Sequence, residues 1–591
     1  MLFIGECQGL LLEQLAVVAE HCDKDCVEFF RNGAPLYGLL ACSGIGEPLD
    51  APVSPGESLW NLECESLNKS LLGSVREDPH ADALMKCAVD DSAMGRMTAP
   101  VPVCEVDLDR VLLHPRFAVA QEKVDGSIKV RPVDHFSWSP LKTKNLGKMA
   151  RKRKIKAASI NGHCVPSESL HHDHLDVLLA TMTRAKQLMG GTPAMFKADI
   201  DSAFRRIPIC KEHWWAAVVV FFWMGQPWVA SHRAMPFGAL AAVHAWERIG
   251  ALLTQIAVKL LRLVCFRYVD DFFGCERPEL VEHSLGCLVR LIRLLLGPSS
   301  VADSKVECGS RLVILGVDIT AGKKKYTCMP SAEKVKKWIK SIDAALASGC
   351  LAPGDAAKLA GRLNWSSQHM FHRVGRAMLR PLFMQKHAAS PFALSMELRY
   401  TLLWWRAVLL ERHVQKFKWE QPEEKSVVHL FCDAAGDPAR IAAIAVCDEK
   451  IYFTDCVPPE HVVKHWAARS DSQIMGLELL SIALGLSTFK HLCSKGRVIV
   501  HSDNTGAECC LRKGTAKHRD HCRLVNAVWE HALHKHMQLW VQRVATDDNW
   551  ADSPSRFVYG ALVEVGATEC EPRLAKFYEL QDAEALCAEF V

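Results

Sequence analysis

The chain lacks any apolar run long enough to cross a bilayer. Its longest candidates, ALLTQIAVKLLRLVCF and SLGCLVRLIRLLLG, are interrupted by Lys or Arg and fall short of the roughly 20 residues a span requires. Both read as core helices, and no membrane partner is expected. The start, MLFIGECQGLLLEQ, lacks the basic stretch that opens a secretory signal. That leaves the 24 scattered cysteines with no oxidising setting to bridge them, and predicts an intracellular protein of cytoplasm and/or nucleus. Paired C-x2-C spacing is also missing: Cys22 and Cys26 beside His21, and His518 and His521 beside Cys522, fall short of a zinc set. No internal repeat or low-complexity tract is visible. Net charge is small, formally +4 from 71 Lys+Arg against 67 Asp+Glu, so the total does not announce a nucleic-acid partner.

What is present is bulk. The 591 residues, 49% hydrophobic and 23% charged, exclude a disordered tail or a small stapled domain and fit about three to four globular units. The Pro/Gly-rich GEPLDAPVSPGES separates a short apolar, helix-like start from the rest of the chain, and the first hundred or so residues carry no readable motif. In AQEKVDGSIKVRPVDHF, Asp125-Gly126 predicts a two-residue hairpin turn. A mixed α/β region runs on to Asp318. Next, Ser331 and Glu333 favour a helix start, and Pro353-Gly354 divides the helical stretch in two. Gln421 to Ser426 reads as a linker. The runs VVHLFCD, ARIAAIAV, SQIMGLELLSIALGL and GRVIVHSDN then predict strand, strand, helix and strand of a second, smaller α/β domain. The fold class expected is α/β and α+β, multidomain.

Two groups of acids stand out. In FRYVDDFFG, Asp270 and Asp271 lie among strand-forming residues. Adjacent side chains of a regular strand point to opposite faces, so both serve one site only at a tight hairpin turn. Asp199 ends the apolar run of MFKADIDSAFRRIPI, and on a neighbouring strand it would converge with Asp270. Such carboxylates repel unless a divalent cation neutralises them, and two Mg²⁺ ions roughly 3.5–4 Å apart suit an in-line phosphoryl displacement. An Asp-Asp pair standing alone is an ordinary turn.

YVDD at Tyr268 to Asp271, with D-x4-F-x3-P at Asp199 to Pro208, resembles the palm of a reverse transcriptase. The resemblance implies a right-hand polymerase of fingers, palm and thumb, with Asp199, Asp270 and Asp271 as catalytic metal ligands for Mg²⁺, two per site, or Mn²⁺. It implies dNTP contacts at Phe204, which would exclude a 2′-hydroxyl, and at Arg131 with Lys129 or Lys123. It also implies contacts at Gly238 in MPFG, which would lie against template and nucleotide, and at Lys305, a proton donor to pyrophosphate. The plain alternatives are a core Phe, an exposed hairpin face and a solvated lysine. AVHAWERIG after Gly238 departs from relatives that carry a proline there. LAGRLNW at Leu359 to Trp365 is near a family thumb pattern. Lys336 and Lys337 of KVKKWIK would then follow a duplex backbone, although a charged helix face is usually only solvated.

The second group is Asp433, Glu478, Asp503 and Asp552, at separations of 45, 25 and 49 residues. Alternation puts Val427, His429, Phe431 and Asp433 on one strand face. Glu478 falls between Ile474 and Ile482 on an apolar helix face, where a charge costs several kcal/mol unless paired or metal-bound. Asp503 ends a third strand, and Asp552 stands in NWADSPSR where a helix can begin. This order resembles ribonuclease H, a mixed five-stranded sheet with helices that uses two metal ions and a water nucleophile. No histidine stands between Gln542 and Asp552, a departure common within that family.

From Leu141 to Lys156 the chain holds eight basic residues and no acid; with these set aside, the +4 becomes −4. Lys148, Arg151, Lys152, Arg153 and Lys154 are the centre of that patch, placed where it would bind a template strand with a steep salt dependence or act as a nuclear import signal. A disordered, solubilising loop is the third reading. The resemblance divides the chain into 1–115 of no readable role, 116–325 fingers and palm, 326–425 thumb and connection, 426–560 ribonuclease H-like and 561–591 tail. It implies RNA-directed DNA synthesis coupled to RNA removal, on an RNA template, a DNA primer and RNA–DNA hybrid. Ribonuclease H directly after the thumb is similar to retrotransposon enzymes of the tyrosine-recombinase or long-terminal-repeat kind. No protease, integrase, recombinase or zinc knuckle is evident, so other retroelement proteins are expected partners. The rivals are a domesticated, inactive copy and an RNA-dependent RNA polymerase.

Overall fold

The computed structural model describes residues 9–49, 64–122, 128–138, 159–370, 373–411, 415–419, 426–467, 474–575 and 587. The basic patch at Lys148 to Lys154, Lys123, the Asp125-Gly126 turn and nearly all of the Gln421–Ser426 linker lie outside the described residues. The fold is mixed α/β and divides into two compact units, Met1–Leu315 and Gly316–Val591. That division falls ahead of the expected thumb boundary at residue 326.

The strands of the first unit's two larger sheets are β1 (Val101–Pro102), β2 (Leu113–Glu122), β3 (Ile128–Asp134), β4 (Ala194–Asp199), β5 (Val218–Trp223), β6 (Gln226–Ser231), β7 (Cys265–Tyr268), β8 (Asp271–Glu276) and β9 (Glu307–Gly309). They form one sheet of order β1-β6-β5-β2-β3 and another of order β9-β4-β8-β7. β5, VVVFFW, is built of β-branched and aromatic residues that suit a pleated, covered surface. β2 and β3 pair antiparallel from Arg116↔Asp134 to Glu122↔Ile128, the hairpin the sequence predicts. The main helices are α1 (Gly9–Val18), α2 (Ala81–Ala93), α3 (Leu175–Met189), α4 (Leu240–Lys259) and α5 (Val281–Leu296).

One core joins α4 and α5 to β4 and β8 through Phe196, Trp246, Ile249, Phe272, Leu288 and Ile292. The N-terminal region, which sequence leaves without a role, belongs to this core: Leu12, Ala16, Val27 and Phe30 are buried in it. Asp23 there receives two hydrogen bonds from the buried Arg248 of α4, at 2.5 and 2.6 Å.

The second unit opens with three antiparallel strands of a small sheet, β10 (Val317–Ala321), β11 (Lys325–Pro330) and β12 (Gln415–Lys418). The predicted pair of helices comes next as α6 (Ala332–Ser348) and α7 (Pro353–Met370), then α8 (Met396–Leu410). Gly349 ends α6 in the left-handed conformation and Pro353 opens α7. Beyond them are β13 (Val428–Gly436), β14 (Ala439–Cys447), β15 (Lys450–Cys456), β16 (Arg497–Ser502), β17 (Gln538–Arg543) and β18 (Thr568–Glu569). Their sheet order is β17-β16-β13-β14-β15-β18. Six strands replace the expected five, because the two-residue β18 adds in parallel beside Tyr452 and Phe453 at the edge. β13 is antiparallel to β14 and parallel to β16, so the sheet is mixed. Among the helices here are α9 (Ile474–Thr488), α10 (Thr505–Lys513), α11 (Arg519–His534) and the single turn α12 (Asp552–Ser555). α9 is buried on every side and crosses β13 and β14. No described helix is long and apolar enough to cross a membrane.

Candidate active sites

The first site forms at one end of the β9-β4-β8-β7 sheet. Tyr268 pairs with Asp271 across β7 and β8, so Val269 and Asp270 are the two residues of a tight turn. On its other edge, β8 pairs Asp271 with Asp199, the last residue of β4. The backbone of Ile200 donates to Asp270 O at 3.1 Å, tying the turn to β4. Three carboxylates thus share one sheet end.

Burial pushes the Asp271 carboxyl up to about 6, with Asp270 and Asp199 adding to the shift. Asp270 is also raised, first by burial and then by Asp199. Lys305 Nζ is ion-paired with Asp199 Oδ2, and this bond raises the lysine. Lys305, expected beside pyrophosphate, therefore lies on a carboxylate of the site itself. Hard carboxylate oxygens suit Mg²⁺ or Mn²⁺, and Asp199, Asp270 and Asp271 are the residues that would hold it; unlike those of Asp433, Glu478 and Asp503, their oxygens are not gathered into one metal group among the described residues.

Around this end, Phe204 is half-buried in the turn after β4, its ring 5.3 Å from that of Phe237. Gly238 has φ +98°, and a Cβ there would lie 2.3 Å from Asp134 O. Its backbone meets the end of β3, which accounts for a glycine without any nucleotide. Arg131 is exposed on β3. Lys129 precedes it by two residues on the same strand, with its backbone paired to Gln121.

The second site is built by three elements of the mixed sheet and its central helix. Oxygens of Asp433 (β13), Glu478 (α9) and Asp503 (just after β16) lie within 4.8 Å of one another. Asp433 is 5% exposed and Glu478 4%, so water screens neither. Burial, then Asp433 and Asp503, push the Glu478 carboxyl up to about 9. Asp433 is raised by burial and by Asp503, and lowered by its hydrogen bond from Ser555. Asp552 opens α12 and is ion-paired to Arg556 at 2.7 Å; its charge also reaches Asp433 and Glu478. Clustered oxygen ligands, of which Asp433 and Glu478 are buried and raised in proton affinity, fit a divalent cation.

Residues that sequence reading missed complete this site. Asn549 Nδ2 donates to Asp433 Oδ1 at 3.3 Å and to Asp503 Oδ1 at 3.4 Å. Ser555 Oγ donates to Asp433 Oδ2 at 2.6 Å. In the sequence both stand in NWADSPSR, three residues to either side of Asp552.

Of the sets weighed for zinc, His21 and Cys26 do approach each other, together with Asp23. The Asp23 carboxylate is taken by Arg248, and burial holds the Cys26 thiol far above its ordinary range, which suits a hydrogen-bonded core. His518, His521 and Cys522 form no metal group among the described residues. All described cysteines are free thiols. On α6, Lys336 and Lys337 are exposed, opposite the buried Val335, Trp338 and Ile342.

No family model and no curated protein matches the chain. Among solved structures it is similar to a foamy viral protease-reverse transcriptase in complex with an RNA/DNA hybrid, at TM-score 0.41 and 16% identity, over 80% of this chain and 54% of that one. A foamy viral protease-reverse transcriptase in complex with dsDNA is similar at TM-score 0.37 and 15% identity, over 92% of this chain and 96% of that one. The chain thus spans about half the length of the first of these, 54%.

Proposed function

We propose that this chain is an RNA-directed DNA polymerase that also cleaves the RNA strand of RNA–DNA hybrids, as a retrotransposon replication enzyme. The observation that carries the reading is the cross-strand pair Asp199 and Asp271 beside Asp270 at the β7–β8 turn. In this reading β2 and β3 belong to the fingers, β4, β7 and β8 to the palm, α6 to α8 to the thumb and connection, and the six-stranded sheet to a ribonuclease H-like domain.

Asp199, Asp270 and Asp271 would hold Mg²⁺, which when bound would supply the charge that favours an ionised primer 3′-hydroxyl and a pyrophosphate leaving group. The chain's own residues orient the reactants. Arg131 and Lys129 are the triphosphate contacts of this reading, Phe204 excludes the 2′-hydroxyl of a ribonucleotide, and Lys305 exchanges Asp199 for the departing pyrophosphate, to which it brings a proton. At the second site Asp433, Glu478, Asp503 and Asp552 would hold metal, and Asn549 and Ser555 fix the carboxylate orientations. The exposed Lys336 and Lys337, and the basic patch centred on Lys148, Arg151, Lys152, Arg153 and Lys154, meet phosphates of primer–template duplex and template strand. RNA template, DNA primer, hybrid and dNTPs are the partners this reading requires.

Primer extension on an RNA template with Mg²⁺ tests it, comparing the wild type with Asp270→Asn. Extension that the substitution abolishes is the expected outcome. Failure of the wild type to incorporate any dNTP would sink the polymerase reading.

A further inference from the structure

Val269, between Tyr268 and Asp270, has φ +53°. A left-handed backbone costs a residue other than glycine on the order of 1–3 kcal/mol and persists only where the surroundings impose it. Here they do. Val269 O accepts two hydrogen bonds, from Trp246 Nε1 at 2.7 Å and Arg267 Nη1 at 2.9 Å. The next carbonyl, Asp270 O, accepts from Ile200 N at 3.1 Å. Two consecutive peptide groups of the turn are thus held, one by side chains of α4 and β7 and the other by the backbone just past β4.

Both side-chain donors are withdrawn from water, Trp246 at 0% exposure and Arg267 at 4%. Arg267 is itself braced: its Nη2 pairs with Glu247 Oε1 at 2.8 Å, and His172 Nδ1 lies 3.2 Å from Glu247 Oε2. Burial opposes the Glu247 carboxylate, but His172 and Arg267 outweigh it and leave the group below its ordinary range. A Cβ on Gly250 would lie 2.7 Å from Arg267 Nε, so a glycine one turn along α4 makes room for the guanidinium.

We propose that Trp246 and Arg267 are positioning residues of the polymerase site, acting through Val269 O to impose the left-handed turn and so aim the Asp270 carboxylate. This rests on the polymerase reading of that site. A purely structural role for a core indole and a buried ion pair would lower stability alone. A positioning role also alters how the site uses metal.

The test is primer extension by the full chain on an RNA template across a Mg²⁺ titration. Trp246→Phe keeps an aromatic ring and removes the N–H. Its kcat is expected to fall about tenfold, with the KM for dNTP within about twofold, a half-saturating Mg²⁺ concentration several-fold higher and hybrid cleavage unchanged. Arg267→Lys carries the same comparison should Trp246→Phe unfold. Val269→Gly supplies the rescue, because glycine adopts positive φ without strain; Trp246→Phe should cost less in that background than in the wild type. Wild-type kcat and Mg²⁺ midpoint in both variants, or an equal loss in the Val269→Gly background, would overturn the assignment. Absence of extension by the wild type is a separate result: it overturns the polymerase reading, and the assignment with it.

Discussion

Ser555 Oγ donates a 2.6 Å hydrogen bond to Asp433 Oδ2, joining the single turn that Asp552 opens to the central strand of the mixed sheet. The bond favours the ionised carboxyl, against the burial that raises it. Ser555→Ala removes the donor, so the Asp433 proton should be held more tightly. A hydrogen bond to a charged group contributes about 1.5–3 kcal/mol. Hybrid cleavage should fall roughly tenfold or more near neutral pH, and the acid limb of its pH profile should move upward. The measurement is the cleavage rate between acid and neutral pH; a limb left in place counts against this role.

Glu478 offers a prediction in which activity and stability move in opposite directions. Its carboxyl is pushed up to about 9, so over the range between the ordinary carboxylate value and about 9 the folded chain binds more protons than the unfolded one. Stability therefore falls as pH rises through that window and levels off above it. Glu478→Gln, which is neutral throughout, should be more stable than the wild type at pH 8, by on the order of 2 kcal/mol or about 5 °C in Tm. At pH 5 the two should nearly coincide. The same variant should lose hybrid cleavage and keep primer extension. Metal-free thermal scans at the two pH values decide the first part, and cleavage and extension assays on one preparation decide the second.

The acids of both sites are legible because each stands in or beside an element with a strong local pattern. The alternation of VVHLFCD marks β13, and the strand-forming residues flanking Val269 and Asp270 mark the two arms of a hairpin. Asn549 and Ser555 carry no such pattern; they matter only because α12 comes back against β13. The pairing of Asp23 with Arg248, separated by 225 residues, is equally invisible locally, and for that reason the N-terminal region reads as separate when it shares the core of the first unit. Gly238 is readable as a position of close approach, but its neighbour proves to be Asp134. Two residues suffice for β18, too few for any period to show.

Arg248 and Asp23 make that long-range contact measurable. Both are buried, and two hydrogen bonds of 2.5 and 2.6 Å join the guanidinium Nε and Nη2 to the two carboxylate oxygens. Removing one partner of a buried pair leaves an uncompensated charge, which typically costs about 3–5 kcal/mol. Asp23→Asn should therefore destabilise the first unit by an amount of that order, lowering the denaturant midpoint of its unfolding transition. Primer extension should be lost along with it, while hybrid cleavage, which the proposed function assigns to Asp433 and Glu478, survives. Chemical denaturation and then the two assays check it, and an unchanged midpoint would remove the N-terminal region from the core's energetics.

Asp271, finally, ties the pH dependence of primer extension to metal. Burial first, then Asp270 and Asp199, bring its carboxyl up to about 6. Below that value Asp271 is protonated and a poor ligand, so extension should fall as pH drops through about 6. Metal and proton compete for the same oxygens. Raising Mg²⁺ should therefore shift the acid limb to lower pH, and it should do so without changing the plateau above pH 7. Asp271→Asn cannot titrate: whatever extension it retains should be flat across this range. Rate profiles at several Mg²⁺ concentrations distinguish these outcomes, because a limb that does not move with Mg²⁺ would belong to a group outside the metal site.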